Sequence, residues 1–354
     1  MKKIGLFLCE TLFMLIFLLT ITYYFPDLIK FTFNYKYFFL FVILLYGGVL
    51  LKNNNFEKIN LRDDIKFICN KITKSIKIIF DNRKIKIGLI IIIIITGMAI
   101  FADSLARYAP GEQMQMKIIE GTFSFGENLP PNQDNWFGTT GDSRDIFSLV
   151  VFGLQNTLKL AITASFFSLI FGTILGLLSG YLGGFLEKGI NYIVNLVLIM
   201  PVLFVILLIK INLGLSSMIL VIGLYGAIKT TKLVRAQVLK IKEEEFIIAA
   251  RALGQEDVGI LFKHLLPNLA SIIITQGLIL VGYNIAIESS LGFMKFSSST
   301  SLGWVIYKSF IDMIIEGNMN FIFPAGTLLL AIVGFTYLGE GFKDNVLQPK
   351  GKEV

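Results

Sequence analysis

Apolar runs long enough to cross a bilayer recur along this chain, separated by polar stretches. They predict eight helices, near residues 4–23, 33–51, 86–104, 158–180, 190–209, 212–229, 267–289 and 322–340. The third shows the energetics. Between Ile87 and Phe101 ten residues are Leu, Ile or Phe, and at about 0.3–0.6 kcal/mol each they favour insertion by roughly 3–6 kcal/mol. The first carries Glu10, whose cost of about 2.5–3.5 kcal/mol is offset by the Leu, Ile and Phe residues around it. That run, behind Met1-Lys2-Lys3, exceeds a signal-peptide core and lacks a small-residue cleavage site. It is read as a retained helix.

Composition supports the bilayer as solvent. The 354 residues are 55% hydrophobic and 16% charged, with mean hydropathy +0.72, where a soluble domain carries about 25% charged residues. One soluble core of this length could not hide so much apolar surface. A soluble enzyme, a disordered chain and a nucleic-acid binder are therefore poor readings, and no nucleic acid is expected as a partner. The net charge of +7 is the usual surplus of Lys and Arg in cytoplasmic loops. Cys9 and Cys69 are far apart and His264 is the only histidine, so neither a disulfide framework nor a metal site is expected.

Charge also orients the chain. Residues 52–86 hold ten basic and four acidic residues, whereas 102–157 hold three and seven. The first loop is expected inside and the second outside, which puts both termini and the loop at 230–266 in the cytoplasm. Within 52–86, Leu61, Ile65, Ile68, Ile72, Ile76 and Ile79 recur at helical spacing, with Lys66, Lys71, Lys74 and Lys77 on other faces. That pattern describes a basic amphipathic helix on the inner leaflet, in contact with lipid. The expected organisation is a two-helix membrane hairpin at 1–51, an interfacial linker at 52–84 and a six-helix core at 85–350.

Two features of the core stand out. Ala164, Ser168, Gly172, Gly176, Gly180 and Gly184 follow one another at intervals of four, a stripe of small residues through which another helix backbone can approach. The polar loop at 243–268 contains Glu245-Phe246-Ile247-Ile248-Ala249-Ala250-Arg251-Ala252-Leu253-Gly254 and then His264-Leu265-Leu266-Pro267-Asn268. Residues 244–253 predict a short helix that Gly254 stops in a left-handed conformation. Residues 257–266 predict a second short helix, and Pro267 begins the next span. A water-facing helix bearing Phe246, Ile247 and Leu253 suggests docking into a groove of another protein.

This loop resembles the EAA loop of bacterial ABC importer permeases. Ala249, Ala250, Gly254 and Leu266-Pro267 match its spacing, and Glu245 and His264 are similar to its peptide and nickel branch. Gly138-Thr139-Thr140-Gly141-Asp142-Ser143-Arg144-Asp145 resembles that branch's approach to its second core helix, although Thr140 and Ser143 replace the usual Asp and Gly. Glu288, Ser290-Leu291-Gly292-Phe293, Leu302-Gly303-Trp304, Pro324 and Leu338-Gly339-Glu340-Gly341-Phe342-Lys343-Asp344 follow the same subunit type. The resemblance covers roughly 85–350. It implies an all-α integral membrane protein of the type I ABC importer fold, six helices plus two N-terminal ones, in the bacterial inner membrane.

It further implies a heterodimer with a second permease subunit, two cytoplasmic ATPase subunits and an extracytoplasmic substrate-binding protein. Glu245, Phe246, Ala249, Ala250, Arg251 and Leu253 would dock on the ATPase, with Gly254 as the turn. His264, Pro267 and Asn268 would fix the return to the membrane. No cofactor is expected on this chain, and no Gly-x-x-x-x-Gly-Lys-[Ser/Thr] occurs in it, so ATP and Mg would be used by the partner subunits. The contrasting reading, a self-sufficient secondary transporter or channel, would place ionisable groups or broken helices in matched repeats near mid-membrane. The core offers few buried charges, and Pro201 is its main interior helix breaker.

Overall fold

The computed structural model describes residues 82–112, 117–119, 122–124, 127–213, 218–298, 300–317 and 319–347. The expected hairpin at 1–51 and nearly all of the linker at 52–84 lie outside them. Helix α1 (Arg83–Ile100) and the short α2 (Ala102–Leu105) come first. A two-stranded antiparallel ribbon follows, β1 (Lys117–Ile119) with β2 (Thr122–Ser124), Ile118 opposite Phe123. Then come α3 (Ile146–Tyr181), α4 (Gly184–Ile199), α5 (Val202–Leu213) and α6 (Met218–Ile241). After α7 (Glu245–Ala252) and α8 (Asp257–Ile260), a π turn at Leu261–Leu265 leads into α9 (Leu266–Phe293). Helices α10 (Leu302–Glu316) and α11 (Ile322–Leu347) end the described chain.

Three stretches among the described residues, Ile146–Tyr181, Asp257–Phe293 and Met319–Asp344, are long and apolar enough to cross a membrane. The pair α4 and α5 makes a fourth if read as one broken span. Helices α1 and α6 stand where two more spans are expected. Their charges cluster toward one end, Arg83, Lys84 and Lys86 in α1 and Lys232, Arg235 and Lys240 in α6, with Lys229 as the exception.

The structure corrects several boundaries. Helix α3 has 36 residues, about 54 Å at 1.5 Å each, and begins well before residue 158. Asp145 is the reason: its carboxylate accepts from the Ser148 N–H (2.8 Å) and hydroxyl (2.7 Å), capping the first turn. Burial pushes that carboxyl above its usual range against these two bonds. Gln155, Asn156 and Thr157 break the hydropathy pattern but not the helix, because each finds a partner: the Ala99 carbonyl, Thr300 and Glu288. The single span expected at 190–209 is instead two helices meeting at 97° around Pro201, which has no N–H to continue the ladder. Helix α6 runs to Ile241, into what was expected to be loop. The region read as a short helix followed by a new span is one run, 257–293, interrupted only by the π turn. Helix α10 was not anticipated; Ser301 caps its start through the Trp304 N–H (3.2 Å) and Gly317 ends it at φ 79°.

Close packing explains the bundle. A Cβ on Gly172 would lie 2.6 Å from the Ala227 carbonyl, and one on Gly176 2.6 Å from Val234 Cβ. At this spacing α3 and α6 touch backbone to backbone. Gly180 continues the contact against Val238. Gly184 leaves the stripe, since α3 ends at Tyr181 and Gly183 and Gly184 turn the chain with φ 70° and 63°. Helix α1 meets α11 similarly, where a Cβ on Gly88 would sit 2.6 Å from the Leu338 amide. Lys84 then pairs with Glu340 (3.4 Å) and Asp344 (3.1 Å), and Asn82 Nδ2 donates to the Gly341 carbonyl.

The segment 138–145 is clamped to α10. The Gly141 N–H donates to Asp312 (2.8 Å), and Lys308 bridges Asp142 (3.3 Å) and Asp312 (3.8 Å). Burial raises the Asp142 carboxyl, but the Thr140 hydrogen bond, Lys308 and Arg144 bring it below its usual range. Ser143 holds φ 57°, in the left-handed region that favours glycine.

The packing predicts an asymmetry between two glycines. Gly172→Leu should cost about 1–3 kcal/mol or more by overpacking. Gly189→Leu, where nothing lies within 4 Å, should stay within about 0.5 kcal/mol. Thermal unfolding of the purified chain in detergent measures both.

Candidate functional site

Where α3 gives way to α4, the ends of α3 and α6 form an apolar seat from Leu177, Val234 and Val238, which Ile247, Ile260, Leu265 and Leu269 complete. Ile247 and Ala250 are the buried face of α7, at 0% and 7% exposure. The opposite face is presented outward: Glu245, Phe246, Ile248, Ala249, Arg251 and Leu253 are all exposed, Leu253 at 88%. Val258 and Phe262 extend this apolar surface. Of the residues singled out for docking, therefore, Ala250 faces into the seat while Glu245, Phe246, Ala249, Arg251 and Leu253 face out.

The turn is built as its sequence requires. The Leu253 N–H donates to Ala249, the Gly254 N–H to Arg251 (3.0 Å) and the Gln255 N–H back to Ala250 (3.1 Å). These bonds close the helix around Gly254 at φ 77°, which a side chain with a Cβ enters only at a cost of about 1–2 kcal/mol. His264 Nε2 meets Gln255 Oε1 at 2.9 Å, so the two legs of the loop are tied together. The His264 ring also stands 6.4 Å from that of Phe246. Asn268 Nδ2 donates to the His264 carbonyl (2.6 Å). Pro267 lies one residue into α9. In a regular helix its ring would press on the carbonyl four residues back; the π turn just before it widens the ladder, with the Leu266 N–H reaching Leu261.

Four contacts at this end were not read from the sequence. Tyr181 donates its hydroxyl to Asp257 (2.6 Å) and lies under the Arg251 guanidinium at 5.8 Å from the ring centroid. Arg235 of α6 forms an ion pair with Glu187 of α4, and Lys242 Nζ reaches the Gly180 carbonyl (3.4 Å). Each joins residues tens of positions apart, and nothing in local spacing signals such pairs.

Two polar groups lie deeper in the bundle. Glu288 is 1% exposed and accepts from Thr157 (2.7 Å), Ser297 (2.6 Å) and Ser289 (3.5 Å); the Thr157 hydroxyl in turn accepts from the Leu302 N–H. It joins α3, α9 and the start of α10. Lys229 of α6 places its ammonium 3.4 Å from the ring centroid of Tyr283 and 5.9 Å from that of Tyr225. Such contacts are worth about 0.5–2 kcal/mol, less than the roughly 2.5–3.5 kcal/mol that a lysine costs at a helix centre in lipid. A purely apolar setting would leave that difference uncovered.

Residues 172–342 match the family described as binding-protein-dependent transport system inner membrane component. Residues 76–131 match the N-terminal TM domain of oligopeptide transport permease C. The oligopeptide transport system permease protein of Bacillus subtilis is 30% identical over 279 residues, 76% of this chain and 86% of the relative. The dipeptide transport system permease protein of Alkalihalophilus pseudofirmus is 31% identical over 276 residues, covering 77% and 87%. The glutathione transport system permease protein of Shigella flexneri is 30% identical over 267 residues, covering 74% and 84%. With these matches running through the bundle and its exposed loop, the chain belongs to the binding-protein-dependent inner membrane components, the permease subunits of ABC importers.

Proposed function

We propose that this chain is one half of the membrane pathway of an ATP-driven importer for peptide-like solutes. It pairs with a second, different permease subunit. An external binding protein delivers the solute, and two cytoplasmic ATPase subunits use ATP and Mg. In this reading both termini and α7 lie on the cytoplasmic side, following the surplus of Lys and Arg there. The chain itself transports and does not catalyse.

The observation that carries the proposal is the two-faced helix α7. Its inner face is locked into the ends of α3 and α6 through Ile247, while Phe246, Ile248 and Leu253 stand exposed beside Glu245 and Arg251. An isolated loop gains nothing from such exposure; a groove on another protein does. Because α7 is seated on the same helices that cross the bilayer, a push on its outer face is delivered to α3 and α6. The names of the similar permeases, oligopeptide, dipeptide and glutathione, support peptide-like solutes.

Four outcomes test this. Gly254→Val should leave membrane insertion intact and lower ATP-driven uptake in proteoliposomes about tenfold or more, because the turn costs it roughly 1–2 kcal/mol; undiminished uptake would count against the docking role. Leu253→Ala should weaken co-purification of the ATPase with little change in stability. Ile247→Ala, fully buried, should lower the unfolding free energy by about 2–5 kcal/mol. The reverse pattern would show that the exposed face is not the contact. Removal of residues 1–51 should leave the ATPase attached, and pull-down of the truncated chain reads this directly.

A further inference from the structure

Lys229 has a place in the bundle that the coupling reading leaves unused. Its ring partner Tyr283 precedes Asn284, whose Nδ2 donates to Ser165 of α3 (2.9 Å). Ser165 lies fifteen residues before Gly180 and eight after Thr157, about 22 Å and 12 Å along the helix. Thr230, next to Lys229, packs on Gly172, so the ammonium lies along the apolar length of α3 and not at its end. Among the described residues no carboxylate lies within ion-pair distance of it. Two aromatic rings hold the charge without neutralising it.

The face beside it carries polar groups and is only partly covered, Tyr283 packing on one side against the apolar cluster of Ile206, Met218 and Ile287. Gln276, Tyr283 and Ser290 follow at intervals of seven on α9, two turns apart, and so share one side. None of the three is buried. Other sides of α9 are occupied, Gly277 lying against Leu169 of α3 and Gly282 against Thr336 of α11, and Ile279, at the edge of the same face, meets Gly339 of α11. An amide, a phenol and a hydroxyl in line with a lysine are poorly matched to hydrocarbon, and such faces turn toward a water-filled cavity or a polar partner.

We infer that this face lines the solute pathway and that the Lys229 ammonium receives the carboxylate of a passing peptide-like solute. The inference rests on the transport reading above and adds a solute contact to it. An aromatic seat suits the task. A protein carboxylate at the same place would cancel the charge, whereas Tyr283 and Tyr225 fix the ammonium and leave its donors available. A pathway site must also release what it binds, which favours one partly exposed cation over a closed cage.

The test uses the whole complex with its partner subunits and binding protein in proteoliposomes. Cys9 and Cys69 are replaced by Ser so that Lys229→Cys supplies the sole thiol of this chain, on which labelling is read. An anionic, membrane-impermeant methanethiosulfonate should label it at rest or during ATP turnover; a thiol unreactive in both states overturns the inference. Uptake of tri-alanine and of its C-terminal amide is then compared. Lys229→Gln should lower the carboxylate-over-amide ratio about tenfold, the scale of one charge-assisted hydrogen bond, and Lys229→Arg should retain it. An unchanged ratio in Lys229→Gln also overturns the inference. ATP dependence is read on the unsubstituted complex. Its absence there counts against the transport reading, whereas ATP-driven uptake with an unchanged ratio counts against Lys229 alone.

Discussion

In hydrocarbon, two helices gain nothing by hiding apolar side chains from one another, so their union depends on how closely the backbones approach. Here that approach is set by Gly172, Gly176 and Gly180 of α3 against Thr230, Val234 and Val238 of α6. Everything at the exposed loop is built on this contact. The two helices end together, their last apolar side chains make the seat for Ile247, and the seat decides which face of α7 looks outward. A looser α3–α6 contact would give α7 no fixed platform.

Much of this was legible in the sequence for a physical reason. Long apolar runs and a four-residue glycine period are local signals, and among the described residues most of the runs coincide with helices and the glycine period with the α3–α6 contact. The left-handed turn at Gly254 was likewise written in one residue between an apolar helix and a polar stretch. What escaped was set by distant partners. Helix α3 continues through Gln155, Asn156 and Thr157 because Ala99, Thr300 and Glu288 are waiting for them. The hydropathy of 146–157 could not reveal those partners. The expected span at 190–209 failed for the opposite reason: uniform apolarity masked the effect of Pro201, which bends the chain by 97°. Lys229 was hidden by its position near the end of a predicted span, whereas in the structure α6 runs twelve residues past it.

The polar groups of the bundle fall into two kinds. Glu288 and Asp312 are buried and held by several donors each, and they join segments far apart in sequence. They are fasteners, and their value lies in the cost of leaving them unpaired. Lys229, Gln276 and Ser290 keep part of their surface and fasten little. In a membrane protein this contrast separates the polar atoms that hold the shape from those still available to something that moves past.

The π turn at Leu261–Leu265 has one more consequence. Its ladder closes over five residues where a regular helix closes over four, so the side chains on either side are offset by roughly one position, about 100° of rotation. Ile260 ahead of the turn and Leu269 beyond it, nine residues apart and so on opposite sides of a regular helix, are thereby brought to the same apolar seat. The run from Asp257 to Phe293 is thus a rod with one residue of slack wound into it beside the membrane. That inserted residue sets the rotational phase of one portion against the other while the rod stays unbroken.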